Sequence, residues 1–196
     1  MIIHEVKQGT SEWHELRIGK FGSTDAQAVG SNGKGLSTKC YEKAIEIITG
    51  KKMDSEYTNK HIERGIELEP KARGIYELET GNLVKQVGYI ELDEHTGGSP
   101  DGLVGEDGLI EIKCPSSVNF LKEMLGDTKM KSSYNWQMQH LMYLTDRKWC
   151  DYVIFNEELD KIKITRIARD EDMIEKIKEG LEAGKKQIKQ IIERIK

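Results

Sequence analysis

The clearest structural signal in the sequence is the segment Gly98-Ser-Pro-Asp-Gly-Leu-Val-Gly-Glu-Asp-Gly-Leu-Ile-Glu-Ile-Lys-Cys-Pro115. Within it, Gly-Glu-Asp-Gly at residues 105–108 separates two short runs that contain branched apolar residues. Asp-Gly between such runs is the strongest short-range signal for a β-hairpin. The pattern therefore predicts that Asp101 and Glu111 lie on neighbouring strands.

The alternation of the second strand predicts which side chains share a face. Successive side chains of a strand point to opposite faces of a sheet. Glu111 and Lys113 are therefore predicted to share one face with Leu109. The other face is predicted to be the core side, and it carries Ile110, Ile112 and Cys114.

Two carboxylates and a lysine at this hairpin indicate a metal-dependent site. Carboxylates a few Å apart repel each other unless a cation lies between them, and all-oxygen ligands suit a hard ion such as Mg²⁺. In phosphodiester hydrolysis a divalent ion polarises the phosphoryl oxygen and acidifies a water, while an adjacent ammonium holds that water or offsets developing charge. Asp101, Glu111 and Lys113 suit these tasks. The same residues also fit a surface hairpin with a solvated charged face.

The residue pattern of this segment resembles the sequence motif of a known nuclease family. Pro100-Asp101, nine intervening residues and Glu111-Ile112-Lys113 match the PD-(D/E)XK nuclease signature. Ser-Pro-Asp-Gly followed by Glu-Ile-Lys-Cys-Pro resembles the phage lambda exonuclease and YqaJ-type viral recombinase family. The resemblance implies an α/β restriction-endonuclease-like fold. It also implies that Asp101, Glu111 and the backbone carbonyl of Ile112 bind Mg²⁺, and that Lys113 orients the attacking water.

A second motif lies near the amino terminus. Trp-His-Glu-Leu-Arg at residues 13–17 is followed by a predicted helix start that Ser23 or Thr24 caps. Backbone N–H groups, hydroxyls and a guanidinium at a helix start can hold a phosphate, although an ordinary cap with a surface arginine has the same pattern. Members of the family have a similar Trp-His-x-Leu-Arg-x-Gly motif near the amino terminus. This resemblance implies that Arg17 and a hydroxyl, best aligned with Thr24 and next with Ser23, hold the 5′-phosphate of a DNA end.

A predicted helix from about Thr58 to Leu78 carries the next element, and Pro70 is expected to kink or restart it. The segment Arg-Gly-Ile-Glu-Leu-Glu-Pro-Lys-Ala at residues 64–72 resembles the family's Gly-x-x-x-Glu element. This resemblance implies that Glu69 is a catalytic residue over the metal centre. Glu67 lies about 200° away around an ideal helix and is predicted to face solvent. Because glutamates are common on helix surfaces, the residues alone do not distinguish an active-site role for Glu69 from an ordinary solvated side chain.

A predicted helix from Ser133 to Leu144 follows the Lys-Cys-Pro element and reads Tyr-Asn-Trp-Gln-Met-Gln over residues 134–139. The family has Tyr-x-x-Gln-x-Gln at this point, which implies an active-site role for Gln137. An amide can donate to a phosphate oxygen or hold a catalytic water without titrating. Gln139 is interpreted as structural, and His140 as a surface or core histidine with satisfied hydrogen bonds.

The remaining pattern predicts a central mixed β-sheet of about five strands flanked by helices. Strands over residues 83–91, 149–156 and 162–169 join the hairpin in this sheet. A flexible loop over residues 30–35 precedes a helix over residues 37–49. The stripe on this helix is predicted to be core, and it consists of Tyr41, Ala44, Ile45 and Ile48.

From about Asp170 the chain is predicted to form a long C-terminal helix, whose isoleucine stripe Gly180 and Gly184 interrupt. Packing along its own domain is favoured over packing against a neighbouring subunit. Residues 1–196 are predicted to form a single PD-(D/E)XK exonuclease domain.

Composition indicates a globular protein of a reducing compartment. Hydrophobic residues make up 37% of the chain and charged residues 33%, a balance typical of a folded domain. The amino terminus lacks a signal-peptide pattern and no long apolar run follows, so the chain is predicted neither to be secreted nor to span a membrane. Cys40, Cys114 and Cys150 lack C-x-x-C spacing, which favours a cytoplasmic location without zinc or disulfides.

The resemblance implies a function as well as a fold. It implies a Mg²⁺-dependent 5′–3′ exonuclease that degrades one strand of double-stranded DNA from its end to mononucleotides, with Asp101 bridging to a second ion and Mn²⁺ as a substitute. The remaining 3′ single strand would serve recombination through a single-strand annealing protein. A homotrimeric ring with a basic lining would reconcile the net charge of -4 with DNA binding. The alternatives are an endonuclease or nickase on the same fold and a non-catalytic DNA-binding protein.

Overall fold

Helices and strands alternate along the chain in a computed structural model that describes residues 1–53 and 60–195. A 3₁₀ turn at Ser23–Asp25 precedes the second helix. The α-helices of the described ranges are α1 Ser11–Leu16, α2 Ala26–Ser31, α3 Lys34–Thr49, α4 Lys60–Thr80, α5 Ser117–Leu125, α6 Ser132–Thr145 and α7 Glu171–Ile195. The strands are β1 Ile2–His4, β2 Val84–Lys85, β3 Tyr89–Asp93, β4 Thr96–Gly98, β5 Gly102–Val104, β6 Gly108–Lys113, β7 Trp149–Asn156 and β8 Lys161–Ala168.

The central sheet has five strands in the order β2-β5-β6-β7-β8 and is mixed, as predicted. Strands β6 and β7 are parallel, and the other neighbours are antiparallel. The predicted hairpin is β5 and β6, which pair Gly102 with Ile110 and Val104 with Gly108. Gly105 turns the chain with φ +54, a left-handed conformation that glycine adopts without strain. The hairpin prediction is confirmed.

The prediction that β6 has a single core face is wrong. Leu109, Ile110 and Glu111 are all fully buried. Ile110 packs with α4 residues on one face, while Leu109 packs with α5 and α6 residues on the other. A parallel β6–β7 pair needs a crossover connection, and here α5 and α6 form that crossover and cover the second face. Glu111 therefore lies inside the protein and not on a solvated surface.

The prediction of a single strand over residues 83–91 is also wrong, because the segment contributes strands to two different sheets. Strand β2 belongs to the central sheet, whereas β3 pairs with β1 and β4 in a separate antiparallel sheet that the sequence did not reveal. The chain passes between the sheets at Gly88, where a Cβ atom would lie only 1.9 Å from the carbonyl oxygen of Val6. Strand β4 of this second sheet leads directly into Asp101.

Helices α2, α3 and α7 form a further layer around Phe21. Helix α7 is continuous from Glu171 to Ile195, as predicted, and Gly180 and Gly184 interrupt its isoleucine stripe but not the helix. Both glycines are buried, and a Cβ atom on Gly180 would lie 2.0 Å from the carbonyl oxygen of Val29 in α2. The glycines therefore allow close helix packing, and α7 lies along its own chain as predicted.

Only part of the stripe predicted as core on α3 is buried. Ala44 is buried, but Tyr41 is 51% exposed and Ile48 is 50% exposed. The buried face of α3 is instead formed by Leu36, Cys40 and Ala44 at successive turns. Tyr41, Ile45 and Ile48 face outward beside the end of α7 because α2 and α7 cover only the other side. The predicted loop over residues 30–35 is mostly helical, and only Asn32 and Gly33 connect α2 to α3.

Helix α4 runs through Pro70 without a break, so the predicted restart is wrong, and the alternative, a kink at Pro70, stays a prediction. Pro70 lies on the exposed side of the helix, where water can satisfy the backbone carbonyl that loses its partner. The predicted start near Thr58 lies outside the described residues. Within the described ranges, none of the helices combines the length and the apolar composition that a membrane crossing requires. The single domain over residues 1–196 stays a prediction.

Candidate active site

Asp101 lies where the backbone ladder between β5 and β6 ends. The last paired residues are Gly102 and Ile110, and the Asp101 Oδ2 atom accepts a 2.7 Å hydrogen bond from the backbone N–H of Ile112. The N–H and C=O groups of one strand residue point to the same edge. The Ile112 carbonyl therefore points to the edge on which Asp101 lies, as its predicted role as a ligand requires.

Glu111, Lys113 and Gln137 meet on the α6 side of β6. The Glu111 Oε1 atom accepts hydrogen bonds from the Lys113 ammonium and, at 2.7 Å, from the Gln137 side-chain amide. The other oxygen, Oε2, is buried and has no hydrogen-bond partner within the described part of the chain. The Lys113 Nζ atom also lies 5.1 Å from the centre of the Tyr134 ring. The structure thus brings together the predicted carboxylate, ammonium and amide.

Glu69 reaches the site from α4, and Glu67 is exposed as predicted. Glu69 forms an ion pair with Arg73 one helical turn later, and its charge interacts with that of Asp101. Arg73 is only 8% exposed, and its Nε atom has no partner among the described residues. Arg73 is not among the predicted site residues, although its spacing four residues after Glu69 is a recognisable signal for an ion pair on a helix.

The site holds more negative charge than its lysine neutralises. Burial raises the pKa of the Glu111 carboxyl to about 7, against the opposing effect of the Lys113 ammonium. Burial and the charge of Asp101 raise the pKa of Glu69 to about 7, although Arg73 opposes the shift. Burial also raises the pKa of Asp101, despite the nearby Lys113 ammonium and the Ile112 N–H group. Burial alone would lower the pKa of Lys113, but Glu111 and Asp101 raise it above its usual value.

These observations fit a bound divalent cation. Asp101 and Glu111 are ionisable oxygen ligands of the kind that Mg²⁺ prefers, and the unpartnered Oε2 atom of Glu111 can accept a metal bond. No group of three or more His, Cys, Asp and Glu side chains within residues 1–53 and 60–195 is placed to hold an ion. The ligand set of two carboxylates and the Ile112 carbonyl therefore stays a prediction.

Arg17 and Thr24 line a separate cavity of about 410 Å³. Asp25 and Glu42 are the acidic side chains that line it. The cationic lining residues are Arg17, Lys20, Lys39, Lys43 and Lys52. The cavity is thus locally basic in a protein whose net charge is -4, which suits a phosphate ligand.

Trp13 connects this cavity to the segment between β4 and β5 that contains Asp101. The Arg17 guanidinium stacks on the Trp13 ring at 3.9 Å from its centre. The indole Nε1 atom of Trp13 donates to Ser99 Oγ at 2.8 Å and to the Gly88 carbonyl at 3.2 Å. Arg17 is therefore fixed relative to the residues that immediately precede Asp101.

The structure distinguishes Ser23 from Thr24. The predicted cap at one of these residues is wrong, because the turn begins after Gly22, whose N–H donates to the Asp25 carboxylate at 3.1 Å. Thr24 is exposed and lines the cavity. Ser23 is buried, and its Oγ atom contacts His140 Nδ1 at 3.1 Å. Thr24 is therefore the hydroxyl residue of this pair that lines the cavity, and its contact with a phosphate stays a prediction.

The stripe predicted to be buried on α6 is confirmed, but the prediction that His140 has satisfied hydrogen bonds is wrong for its Nε2 atom, which is buried without a partner among the described residues. Met138, Leu141 and Met142 belong to the core beneath the central sheet. Gln139 donates to the Ala168 carbonyl at 2.9 Å and accepts from the Asp170 N–H at 2.8 Å, which is a structural role.

Comparisons with known proteins agree with this architecture. The family model of the YqaJ-like viral recombinase domain matches residues 12–148. The crystal structure of an alkaline exonuclease, LHK-Exo from Laribacter hongkongensis, is 34% identical with a TM-score of 0.85 and covers 95% of this chain and 96% of that chain. A crystal structure of LHK-Exo in complex with dAMP is 35% identical, with the same TM-score of 0.85 and the same coverage of 95% and 96%.

A phage-related exonuclease from Haemophilus somnus 129PT is similar in fold, at 22% identity and a TM-score of 0.70 over 98% of each chain. No curated protein matches the sequence.

Proposed function

This chain belongs to the YqaJ-like viral recombinase family, and we propose that it is a Mg²⁺-dependent 5′–3′ exonuclease acting on the ends of double-stranded DNA. It degrades one strand to mononucleotides and leaves a 3′ single-stranded overhang for recombination. The observation that carries the proposal is Glu111, which is fully buried beside Asp101, binds Lys113 and Gln137 through one oxygen, and has its other oxygen without a partner in the described structure.

The metal chemistry rests on a ligand set formed by Asp101, just before β5, and by two residues of β6. Asp101, Glu111 and the Ile112 carbonyl would hold Mg²⁺, with Mn²⁺ as a substitute and Asp101 bridging to a second ion. When bound, the ion polarises the phosphoryl oxygen and lowers the pKa of a coordinated water. Burial raises the pKa values of Glu111 and Asp101 despite the nearby Lys113 ammonium, and this supports the assignment because a bound cation would stabilise the ionised carboxylates.

Lys113 serves as a fixed positive charge in this scheme. Burial opposes the shift, but Glu111 and Asp101 raise the pKa of Lys113 above its usual value, which favours the protonated ammonium at neutral pH. It can donate hydrogen bonds to the attacking water and stabilise charge that develops on the phosphoryl oxygens. Gln137 orients Glu111 without titrating, and Glu69 adds a carboxylate from the opposite side, held by Arg73.

The basic cavity accounts for the proposed polarity. Arg17 and Thr24 hold the terminal 5′-phosphate, and a guanidinium can bind phosphate oxygens through two hydrogen bonds at once. The distance between this cavity and the metal ligands then selects the bond that is cut. LHK-Exo has been crystallised with dAMP, a mononucleotide of the product class proposed for this chain.

The proposal extends to assembly and partners. The family resemblance supports a homotrimer that encloses duplex DNA and hands the 3′ overhang to a single-strand annealing protein. The local basic cavity supports DNA binding despite the net charge of -4. The free cysteines Cys40, Cys114 and Cys150 support a cytoplasmic location.

The proposal is tested by nucleotide release from two DNA substrates. A linear duplex labelled at its 5′ end is expected to lose labelled mononucleotides with Mg²⁺ but not with a chelator. A covalently closed circular duplex, which has no end, is expected to remain uncut. Nicking of the circle would indicate an endonuclease instead, and no metal-dependent release from either substrate would indicate a non-catalytic protein.

A further inference from the structure

A buried polar pair, Ser23 and His140, joins the basic cavity to the helix that carries Gln137. The Ser23 side chain is 7% exposed and His140 is fully buried, and their Oγ and Nδ1 atoms are 3.1 Å apart. The Nε2 atom of His140 has no hydrogen-bond partner among the described residues. Burial lowers the pKa of His140 to about 4, so the ring is neutral and this hydrogen bond is its single polar anchor in the described structure. Neither residue has a task in the chemistry proposed above.

Three functional segments meet at this pair. Ser23 immediately precedes Thr24, which lines the basic cavity. His140 lies on α6 three residues after Gln137, so the two side chains lie one turn apart on the helix. A Cβ atom on Gly98, at the end of the strand that leads to Asp101, would lie only 2.4 Å from Ser23 Oγ. Ser23 is therefore held between the segment that carries Asp101 and the helix that carries Gln137.

The turn that contains Ser23 also positions the cations of the cavity. Asp25, at the end of this turn, forms ion pairs with Lys43 at 3.3 Å and with Lys39 at 3.5 Å. A shift of the turn would move Thr24, Asp25 and the two lysines together. The distance from this group to Asp101 and Glu111 then depends on how firmly the turn is attached to α6.

We propose that the Ser23–His140 hydrogen bond is a positioning element that sets the distance between the end-phosphate cavity and the catalytic carboxylates, and thereby the preference for 5′-phosphorylated DNA ends. This inference rests on the proposed function. A misplacement of about 1 Å can cost roughly a hundredfold in rate when reacting groups must be aligned, so one hydrogen bond at this junction can control the preference.

The test compares initial rates on two linear duplexes that differ only in a 5′-phosphate or a 5′-hydroxyl. Ser23→Ala removes the hydroxyl, His140→Leu removes the ring nitrogens, and His140→Asn keeps a hydrogen-bonding atom near the position of Nδ1. Tyr76→Phe is the matched control, because it removes a buried 2.8 Å hydrogen bond to Asp151 on the opposite side of the central sheet. Circular dichroism and thermal unfolding of each variant establish which of them are folded.

The measured ratio is the rate on the 5′-phosphate duplex divided by the rate on the 5′-hydroxyl duplex. Ser23→Ala and His140→Leu are expected to lower this ratio by about five- to tenfold, the equivalent of one buried hydrogen bond. His140→Asn is expected to restore most of the ratio, and Tyr76→Phe to leave it unchanged. Folded Ser23→Ala protein with the wild-type ratio would overturn the inference, even if His140→Leu did not fold. Wild-type protein that cleaves both ends equally would instead refute the proposed end recognition, and this inference with it.

Discussion

Gln137 donates a 2.7 Å hydrogen bond from its side-chain amide to Glu111 Oε1, which joins helix α6 to the central strand β6. Because Lys113 binds the same oxygen, Oε1 accepts two hydrogen bonds, whereas Oε2 has no partner among the described residues and is the oxygen that the proposed function assigns to the metal. The amide therefore fixes the rotation of a carboxylate that is buried on both sides. Gln137 therefore holds the Glu111 carboxylate, whereas Gln139, two residues later, bonds backbone groups of Ala168 and Asp170.

Replacement of Gln137 by Ala should lower nuclease activity by about ten- to a hundredfold, the usual effect of removing a group that orients a metal ligand. Gln139→Ala is the paired variant, because Gln139 bonds the Ala168 carbonyl and the Asp170 N–H away from the site. It should cost about 1–3 kcal/mol of unfolding free energy. Activity and urea unfolding measured on both variants should separate the two roles. Equal losses of activity in both would contradict the assignment.

Lys113→Ala should lower the rate of nucleotide release by about two to four orders of magnitude, because the site loses its permanent positive charge. Binding of linear duplex, measured by fluorescence anisotropy with Ca²⁺ in place of Mg²⁺, should change little. Lys148→Ala is the control, since Lys148 is 71% exposed and pairs with Asp107 outside the site. Robust residual release by Lys113→Ala would contradict a catalytic role for this lysine.

Arg17→Ala should reduce the preference for 5′-phosphorylated ends by about ten- to a hundredfold, the equivalent of a charge-assisted hydrogen bond. Arg17→Lys should keep the charge but recover only part of the preference, because an ammonium lacks the planar fork of donors and stacks less well on Trp13. Rates on matched duplexes with and without the phosphate measure this effect. Arg194→Ala, at an exposed arginine of α7, serves as the control. Full recovery by lysine would argue against bidentate binding.

The sequence predicts the site better than its surroundings because the site depends on local rules. The Asp-Gly turn and the period of a strand are sufficient to bring Asp101, Glu111 and Lys113 together. Which elements cover a strand is a tertiary property, so the second covered face of β6 and the separate β1-β3-β4 sheet could not be predicted from spacing. The same limit explains why the outer part of the α3 stripe is exposed.

The choice between Ser23 and Thr24 shows this limit within the site itself. Both residues carry a hydroxyl at the start of the same turn, and only the packing of α6 separates them. His140, which turns Ser23 inward, is 117 residues away in sequence. Arg73, in contrast, follows Glu69 by one helical turn and could have been inferred from that spacing.

Mg²⁺ should stabilise the protein more at about pH 8 than at about pH 5.5. Glu111 and Glu69 have pKa values of about 7 in the folded chain, above the ordinary values of the unfolded chain. The folded protein therefore binds more protons between about pH 4.5 and 7, and its unfolding free energy falls as the pH rises through this range. Mg²⁺ competes with these protons and stabilises the ionised carboxylates, so the rise in Tm on adding the ion should grow with pH.

Thermal unfolding with Mg²⁺ or a chelator at the two pH values measures this dependence. Glu111→Gln, which keeps the shape but cannot ionise, should show a smaller Mg²⁺-dependent rise in Tm at the higher pH. Glu106→Gln, at an exposed turn residue, should behave like the wild type. An equal Mg²⁺-dependent rise in Tm at both pH values would contradict metal binding by carboxylates whose pKa values are raised in the folded chain.

Two glycine-to-alanine substitutions in helix interiors should have opposite effects on stability. On Gly180 of α7, a Cβ atom would lie 2.0 Å from the Val29 carbonyl oxygen, and since backbone cannot rotate away, α2 and α7 must separate. Gly180→Ala should therefore cost about 1–3 kcal/mol or more. On Gly74 of α4, a Cβ atom would meet nothing within 4 Å, so Gly74→Ala should gain about 0.5–1 kcal/mol from helix propensity alone. Urea unfolding measures both changes, and a Gly180→Ala protein as stable as Gly74→Ala would show that α7 does not pack this closely on α2.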